Sequence, residues 1–334
     1  MPALFLSEPG QGPEVALHGF ARRHPWVRLT TDPLFVHHDR AAPTRRVALV
    51  SGGGSGHEPM HVGFVGTGML DAAVPGKIFA SPHNRQVYEA SKAVARDGGV
   101  LHIVKNYTGD KINFGIAAER LAADGIEADR VLVDDDVATE SDETATGRRG
   151  TAATIIVEKI LGAAADRGDS LSSLTALGRE VTAHSRSIAV ATQALTSPNS
   201  GARAFELAPD QLEYGVGIHG ERASTSIARP PLEELVDRML TDILAALPGA
   251  DRKPLLLLVN GLGATTELEL CAIVELAART LTARGHDIAA VQVGTFVSAL
   301  DMSGFSITLT QLADGWLDLW HAPTTAPAWK DTTR

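Results

Sequence analysis

The sequence predicts an α/β protein built from two α/β domains. Short aliphatic runs alternate with stretches long enough for helices, the pattern of layered α/β folds. The first four of those runs end in loops rich in Gly, Ser, Asn or Asp, the turn and N-cap residues that strand-to-helix connections use. With 334 residues, 44% apolar and 21% charged, the chain is long enough to bury two cores. The expected arrangement is a mostly parallel sheet flanked by helices over residues 1–192 and a second, smaller α/β domain over residues 193–334.

Taken in order, Val47–Ser51, Lys77–Ala80, Val100–Lys105 and Val131–Asp134 read as buried strands. Helices are predicted between them at residues 84–96 and 111–123; in the first, Val87, Tyr88, Ser91, Val94 and Ala95 share one mostly apolar face. Two further helices, 151–165 and 171–183, are joined by the turn-like Asp166-Arg-Gly-Asp169, and a strand follows at Ser187–Thr192. The loop Thr196-Ser-Pro-Asn-Ser-Gly201 then leads into a second α/β set. That set comprises helix 232–247, strand 255–259, helix 266–284 and strands 287–293 and 305–310. A proline-bearing tail from His321 is expected to wrap the surface.

Composition narrows the function classes. Thirty basic against 40 acidic side chains give a formal charge of −10, a poor electrostatic match for nucleic acid or an anionic membrane. The single cysteine, Cys271, excludes an internal disulfide framework and a cysteine-based zinc cluster. No apolar run approaches the ~20 residues of a membrane helix, and the first ten residues do not read as an export leader. A cytoplasmic location is the expectation.

The strongest local motif is Gly52-Gly-Gly-Ser-Gly-His57-Glu-Pro59. Glycines let backbone N–H groups approach a small oxygen-rich ligand, and a helix predicted to start near Pro59 would point its positive end at the same place. No Gly-Lys-Ser/Thr follows, so this is not a Walker A loop, and His57 stands where a dinucleotide fingerprint has its third glycine. His57-Glu-Pro-Met-His61 also matches H-E-x-x-H, but zinc-protease chemistry needs both histidines on one continuous helix, and His57 is expected to precede it. Lys105-Asn-Tyr-Thr-Gly-Asp110 offers a cation for an oxyanion and a carboxylate for a hydroxyl proton; alternatively Asp110 is the N-cap of the next helix. Asp134–Asp136 suit a turn and cap better than a metal site. Arg148 and Arg149, in Gly147-Arg-Arg-Gly150, could meet a phosphate or a partner's acidic face, or simply border a solvated helix entrance. Gly215-Val-Gly-Ile-His-Gly220 matches G-x-G-x-x-G without the helix that motif requires; its glycines leave His219 sterically reachable.

Seven segments in order, spanning nearly the whole chain, resemble the dihydroxyacetone kinase family, and within it the substrate-binding subunits of DhaK type. They are Gly52–Met60, Lys105–Asp110, Val133–Val137, Thr146–Gly150, Tyr214–Glu221, Leu262–Thr265 and Leu300–Leu309. The resemblance implies a DhaK-like two-domain fold and a role for each isolated residue. His219 matches the histidine that adds to the ketone carbon as a covalent hemiaminal, which suits a neutral imidazole of unperturbed pKa ~6.5. His57 and Asp110 match the acid/base and hydrogen-bonding pair around the hydroxyl to be phosphorylated. Lys105, Ser81 and the Gly54-Ser55-Gly56 backbone match the substrate contacts.

The resemblance further implies that this chain binds no cofactor, because no P-loop, kinase signature or helical nucleotide domain is recognisable in it. ATP or ADP with Mg is expected on a separate DhaL-type subunit, recharged in some systems by a DhaM-type protein of the phosphotransferase system. A homodimer is expected. Residues 83–86, Arg222 and Gly261 depart from common family residues, which leaves a longer ketose such as erythrulose open as substrate. A ketone-sensing co-activator of a transcription regulator is the alternative from another class.

Overall fold

The computed structural model describes residues 4–6, 10–139, 147–222, 226–249 and 253–329. Thr146 of the fourth family-like segment, most of the opening ten residues and the end of the tail lie outside them. The chain divides into two compact units. Of the described residues, the first unit holds those within 5–133, 154–180 and 318–329, and the second holds Leu4 and those within 134–153 and 181–317.

In the first unit, helix α1 (Gly12–Arg23) leads to strands β1 (Val27–Thr31), β2 (Leu34–His38), β3 (Ala48–Ser55) and β4 (Ala72–Ile78). Helix α2 (Asn84–Val94), strand β5 (Val100–Lys105), helix α3 (Thr108–Ala123) and strand β6 (Ala128–Val133) follow, and helices α4 (Ala153–Arg167) and α5 (Leu171–Ala183) return later in the chain. The six strands form one sheet in the order β1-β2-β4-β3-β5-β6. β3, β4, β5 and β6 run parallel to their neighbours, whereas the β1–β2 hairpin joins β4 antiparallel. Strand β3 is buried along its whole length because it lies inside the sheet. Val50, Val74, Val100 and Val104 of the sheet pack with Val87 of α2 and Phe114 and Leu121 of α3. Burying a side chain such as Phe114 contributes roughly 1.5–3 kcal/mol. Helix α2 starts where His83 accepts from the Arg85 N–H and Gln86 Oε1 accepts from the His83 N–H, a reciprocal cap.

The second unit carries strands β7 (Ser185–Gln193), β8 (Gln211–Tyr214) and β9 (Ser226–Ala228), helix α6 (Leu232–Ala246), strand β10 (Leu255–Gly261), helix α7 (Glu267–Ala283) and strands β11 (Ile288–Gly294) and β12 (Ser303–Gln311). Its sheet runs β11-β10-β12-β7-β8-β9, with β10 and β11 parallel and every other pairing antiparallel. Val236, Met239, Leu240 and Ile243 recur at helical spacing on α6 and pack with Ile273 and Leu281 of α7 over Leu257, Val259, Ile307 and Leu309. Thr266 and Glu269 cap α7 reciprocally.

Three expectations are corrected. The boundary at 192/193 differs from the observed partition, because β7 pairs with β12 from Ser185–Thr310 to Gln193–Ser303 and so belongs to the second sheet. The strand expected at Lys77–Ala80 lies earlier, at Ala72–Ile78, and the chain turns at its end as Ala80 donates to the Lys77 carbonyl. No helix starts at Pro59: Gly63 donates to Pro59 and Phe64 to His61, and the only regular turn is 3₁₀, at Val62–Phe64. The tail does fasten to its unit. After helix α8 (Trp316–His321), Thr325 donates to Thr67 and Ala328 to Gly63. The buried Lys159 of α4 donates to the carbonyls of Leu319 and Ala322. Among the described residues no helix is long and apolar enough to cross a membrane.

Candidate active site

In the first unit the residues singled out from sequence gather at the carboxyl ends of β3, β4 and β5, where parallel α/β sheets place ligands. Lys105 ends β5 and is fully buried, with Nζ 3.1 Å from His61 Nε2. The amine lies over Gly53: a Cβ at that position would sit 2.1 Å from Nζ, so only glycine leaves room. Gly56 has φ +104°, and a side chain there would strike the ring of Phe79 at 2.8 Å. Gly54 lies against the Phe79–Ala80 backbone. Ser55 donates to the Gly76 carbonyl at 2.7 Å, tying the loop to β4. His57 is buried, its ring 5.2 Å from that of Phe79.

Asp110 is not the N-cap of α3. Tyr107 holds that position, and Asp110 falls in the first turn, where the helix dipole favours a carboxylate. Its Oδ1 accepts the hydroxyl proton of Ser81, so two of the expected substrate-site residues meet directly.

Behind Lys105 lies a cluster that sequence reasoning missed. His61 Nδ1 is 2.6 Å from Glu158 Oε1 on α4 and 2.9 Å from Ser51 Oγ, which itself donates to the Ile103 carbonyl. The zinc-like pattern that contains His61 does not describe its role: its two nitrogens face a carboxylate and an amine. Burial, with the charges of Lys105 and His57, holds the His61 imidazole well below its usual range. Burial also lowers the Lys105 amine, against the opposing pull of Asp110 and Glu158. Glu158 is pushed up to about 8 by burial, with Ser51 and Lys105 pulling the other way.

In the second unit His219 stands on a loop whose turn is set by Gly220, and its side chain is 18% exposed. Glu221 grips it twice, through a bond from the His219 backbone N–H to Oε2 and a contact of Nδ1 with Oε1, both 2.9 Å. Burial alone would raise the Glu221 carboxyl, but the His219 hydrogen bond and charge, together with Arg149, bring it down to about 2. An ionised Glu221 can only accept, so Nδ1 carries a proton, and whenever the ring is neutral the lone pair falls on Nε2.

Arg149 braces this loop, donating to the Gly215 carbonyl and to Asp136. Burial moves the Asp136 carboxyl up to about 6, although Arg149 opposes the shift. Arg148 donates to Asp134. Asp135 accepts from Thr151 and Ala153 N–H groups and from the Thr151 and Ser187 hydroxyls. The three aspartates and two arginines thus fasten the second unit. In the sequence Glu221 stands out only as the last residue of the family-like segment Tyr214–Glu221, with no role of its own.

The Dak1 domain matches residues 18–328. The chain is 40% identical over 338 residues to the PEP-dependent dihydroxyacetone kinase, dihydroxyacetone-binding subunit DhaK, of Escherichia coli K12, covering 93% of this chain and 94% of that one. This chain belongs to the Dak1 family of dihydroxyacetone kinases. Among solved structures, this Dak1 chain superposes on the dihydroxyacetone kinase of C. freundii in complex with AMP-PNP and Mg2+ with TM-score 0.91 and 34% identity. That match covers 98% of this chain and 61% of that one. It superposes equally well, TM-score 0.90 and 33% identity, on the dihydroxyacetone kinase operon co-activator DhaQ, covering 95% of this chain and 98% of that one. The two-unit α/β architecture is therefore that of the family.

Proposed function

We propose that this Dak1 chain is the substrate-binding subunit of a split dihydroxyacetone kinase. The observation that carries the reading is the Glu221–His219 pair, in which a carboxylate accepts from the histidine backbone N–H and meets Nδ1 of its ring. Nε2 forms a bond to the ketone carbon, the carbonyl π electrons move to oxygen, and that oxygen gains the proton the ring gives up at Nδ1. The product is a neutral hemiaminal, and Glu221 stabilises the imidazolium that precedes it. An alcohol such as glycerol has no carbonyl to capture, so the bond itself selects ketoses.

His57 and Asp110 then serve the hydroxyl that receives the phosphoryl group, with Lys105, Ser81 and the Gly54-Ser55-Gly56 backbone as substrate contacts. The Ser81–Asp110 hydrogen bond supports this assignment, because it shows Asp110 accepting from a hydroxyl, the contact it would make with substrate. A DhaL-type partner carries ATP or ADP with Mg, in some systems recharged by a DhaM-type protein, and the chain pairs as a homodimer in the cytoplasm. The phosphoryl donor site thus lies on the partner, and catalysis on this side rests on positioning.

The test uses [2-13C]dihydroxyacetone with the full chain. Binding is expected to move the labelled carbon from the carbonyl to the sp3 region and to add one substrate mass to the intact protein, and both signals vanish in His219→Ala. An adduct that survives His219→Ala, or none with the native chain, overturns the reading; a parallel run with erythrulose decides which ketose is preferred. With a competent nucleotide subunit, Asp110→Ala should lower phosphoryl transfer by about 10²–10⁴-fold. The likeness to DhaQ supports a second reading, a ketone-sensing co-activator. Capture without any phosphoryl transfer by a nucleotide partner would favour it.

A further inference from the structure

Glu158, His61 and Lys105 form a line of contacts sealed inside the first unit, and the mechanism so far uses only its last member. All three side chains are essentially excluded from solvent. They come from different parts of the chain: Glu158 from α4, His61 from the loop after β3, and Lys105 from the end of β5. The spacing is tight, 2.6 Å from Glu158 Oε1 to His61 Nδ1 and 3.1 Å from His61 Nε2 to Lys105 Nζ. The second carboxyl oxygen of Glu158, Oε2, is buried with no hydrogen-bond partner among the described residues.

An ammonium has only donors, so His61 Nε2 must accept from it, which places the ring proton on Nδ1 facing Glu158. We propose that Glu158 and His61 are positioning residues that hold the Lys105 amine over Gly53 and set how many protons it carries. The inference rests on the reading of Lys105 as a substrate contact.

The same three groups have a second arrangement with an equal number of protons. Lys105 gives one proton to His61 Nε2 while the Nδ1 proton passes to Glu158. Ammonium becomes amine, carboxylate becomes carboxylic acid, and the imidazole stays neutral with its tautomer exchanged. Net charge is unchanged, so the exchange escapes the heavy cost of adding or removing a charge in a dry interior. The first arrangement offers a cation to a substrate oxygen that gains negative charge, and the second offers a neutral amine to a neutral oxygen. Burial shifts Glu158 upward and Lys105 downward, which brings the two arrangements closer together.

The other titratable groups facing the line are Asp110, whose charge favours the ammonium, and His57, whose charge disfavours protonation of His61. Replacing Glu158 by glutamine removes both the sink for the proton and the charge that supports the ammonium. Lys105 then loses its proton at lower pH.

Two measurements on the full chain test the proposal. In 15N-histidine spectra of the ligand-free protein, with His61 assigned through His61→Gln, the native ring should show both nitrogens sharing one proton. In Glu158→Gln it should show Nδ1–H alone. A doubly protonated ring at pH 7, or identical spectra in the two proteins, overturns the relay. In dihydroxyacetone binding followed against pH, the alkaline limb should move down by about one unit or more in Glu158→Gln, the usual scale for losing a close opposite charge. Glu158→Asp should restore part of that shift. Binding that weakens equally at every pH would mark Glu158 as merely structural and sink the proposal. If the native chain captured no ketose, the reading of the site would fail, while the histidine spectra would still decide the relay.

Discussion

At His219 the residue that matters most besides the histidine itself is Glu221. A histidine on a glycine-rich loop is free to present either tautomer, and a surface histidine usually exchanges between them. Glu221 removes that freedom because its carboxylate is held ionised and touches both the backbone N–H and Nδ1 of the same residue. The Glu221→Gln variant keeps an oxygen that can accept from Nδ1 but loses the charge that supports the imidazolium. A charge-assisted hydrogen bond is worth about 1.5–3 kcal/mol, so ketose capture should weaken roughly ten- to a hundredfold. Titrating the labelled-carbon signal of bound dihydroxyacetone in native and Glu221→Gln protein measures this, and equal affinities would remove Glu221 from the site. Arg149 stands one step further out. It carries the Gly215 end of the loop and is itself held by Asp136.

At the scale of elements, one carboxylate ties residues 134–153 to β7 within the second unit. Asp135 is fully buried and accepts from the Thr151 and Ala153 N–H groups that open α4 and from two hydroxyls, Thr151 and Ser187. In Asp135→Ala the two N–H groups and the Thr151 hydroxyl lose their acceptor, each costing about 1–3 kcal/mol, so a loss of at least about 3 kcal/mol is expected. Neighbouring Asp134, partly exposed and bonded to Arg148, should matter far less. Thermal melts of the two alanine variants check the contrast. Here the sequence was legible in kind: turn and cap chemistry was the favoured reading of Asp134–Asp136. The interior strands β5 and β10 and the amphipathic helices α2, α5 and α6 were legible too, because burial on a regular period leaves a regular pattern. The β1–β2 hairpin and α1 were not, since α1 buries only Gly12 and Leu17 and the exposed edge strand β1 buries only Val27. Strand β4 was displaced in the reading because Ala72, Ala73, Pro75 and Gly76 are poor strand formers that only their neighbours β2 and β3 hold extended. Of the candidate residues, His219 in the second unit and Asp110 and Lys105 in the first stood out through motif and loop position. Glu158 did not, lying mid-helix some hundred residues beyond its partner His61, where no local pattern marks a contact.

For the molecule as a whole, buried ionisable groups tie stability to pH, and Glu158 gives the clearest case. Its carboxyl titrates near 8 in the folded chain, against an ordinary value of 4.5. Between those two pH values the folded state holds a proton that the unfolded state has released, so stability contributed by this group falls as pH rises through the window. Below pH 4.5 the group is protonated in both states and the penalty disappears. Glutamine at 158 binds no proton in either state and has no such slope. The melting temperature of Glu158→Gln relative to the native chain should therefore climb from pH 5 to pH 8. His61 and Lys105, whose folded values are lowered, contribute stability that rises with pH. Both residues remain in the variant, so most of that slope cancels in the comparison. Each kcal/mol corresponds to about 2–4 °C for domains of 150–250 residues, so a rise of at least that size is expected. Parallel melts at pH 5, 6, 7 and 8 in buffers of equal ionic strength measure it. A difference that stays flat, or falls, would mean that the folded chain takes up no extra proton at Glu158 over this window.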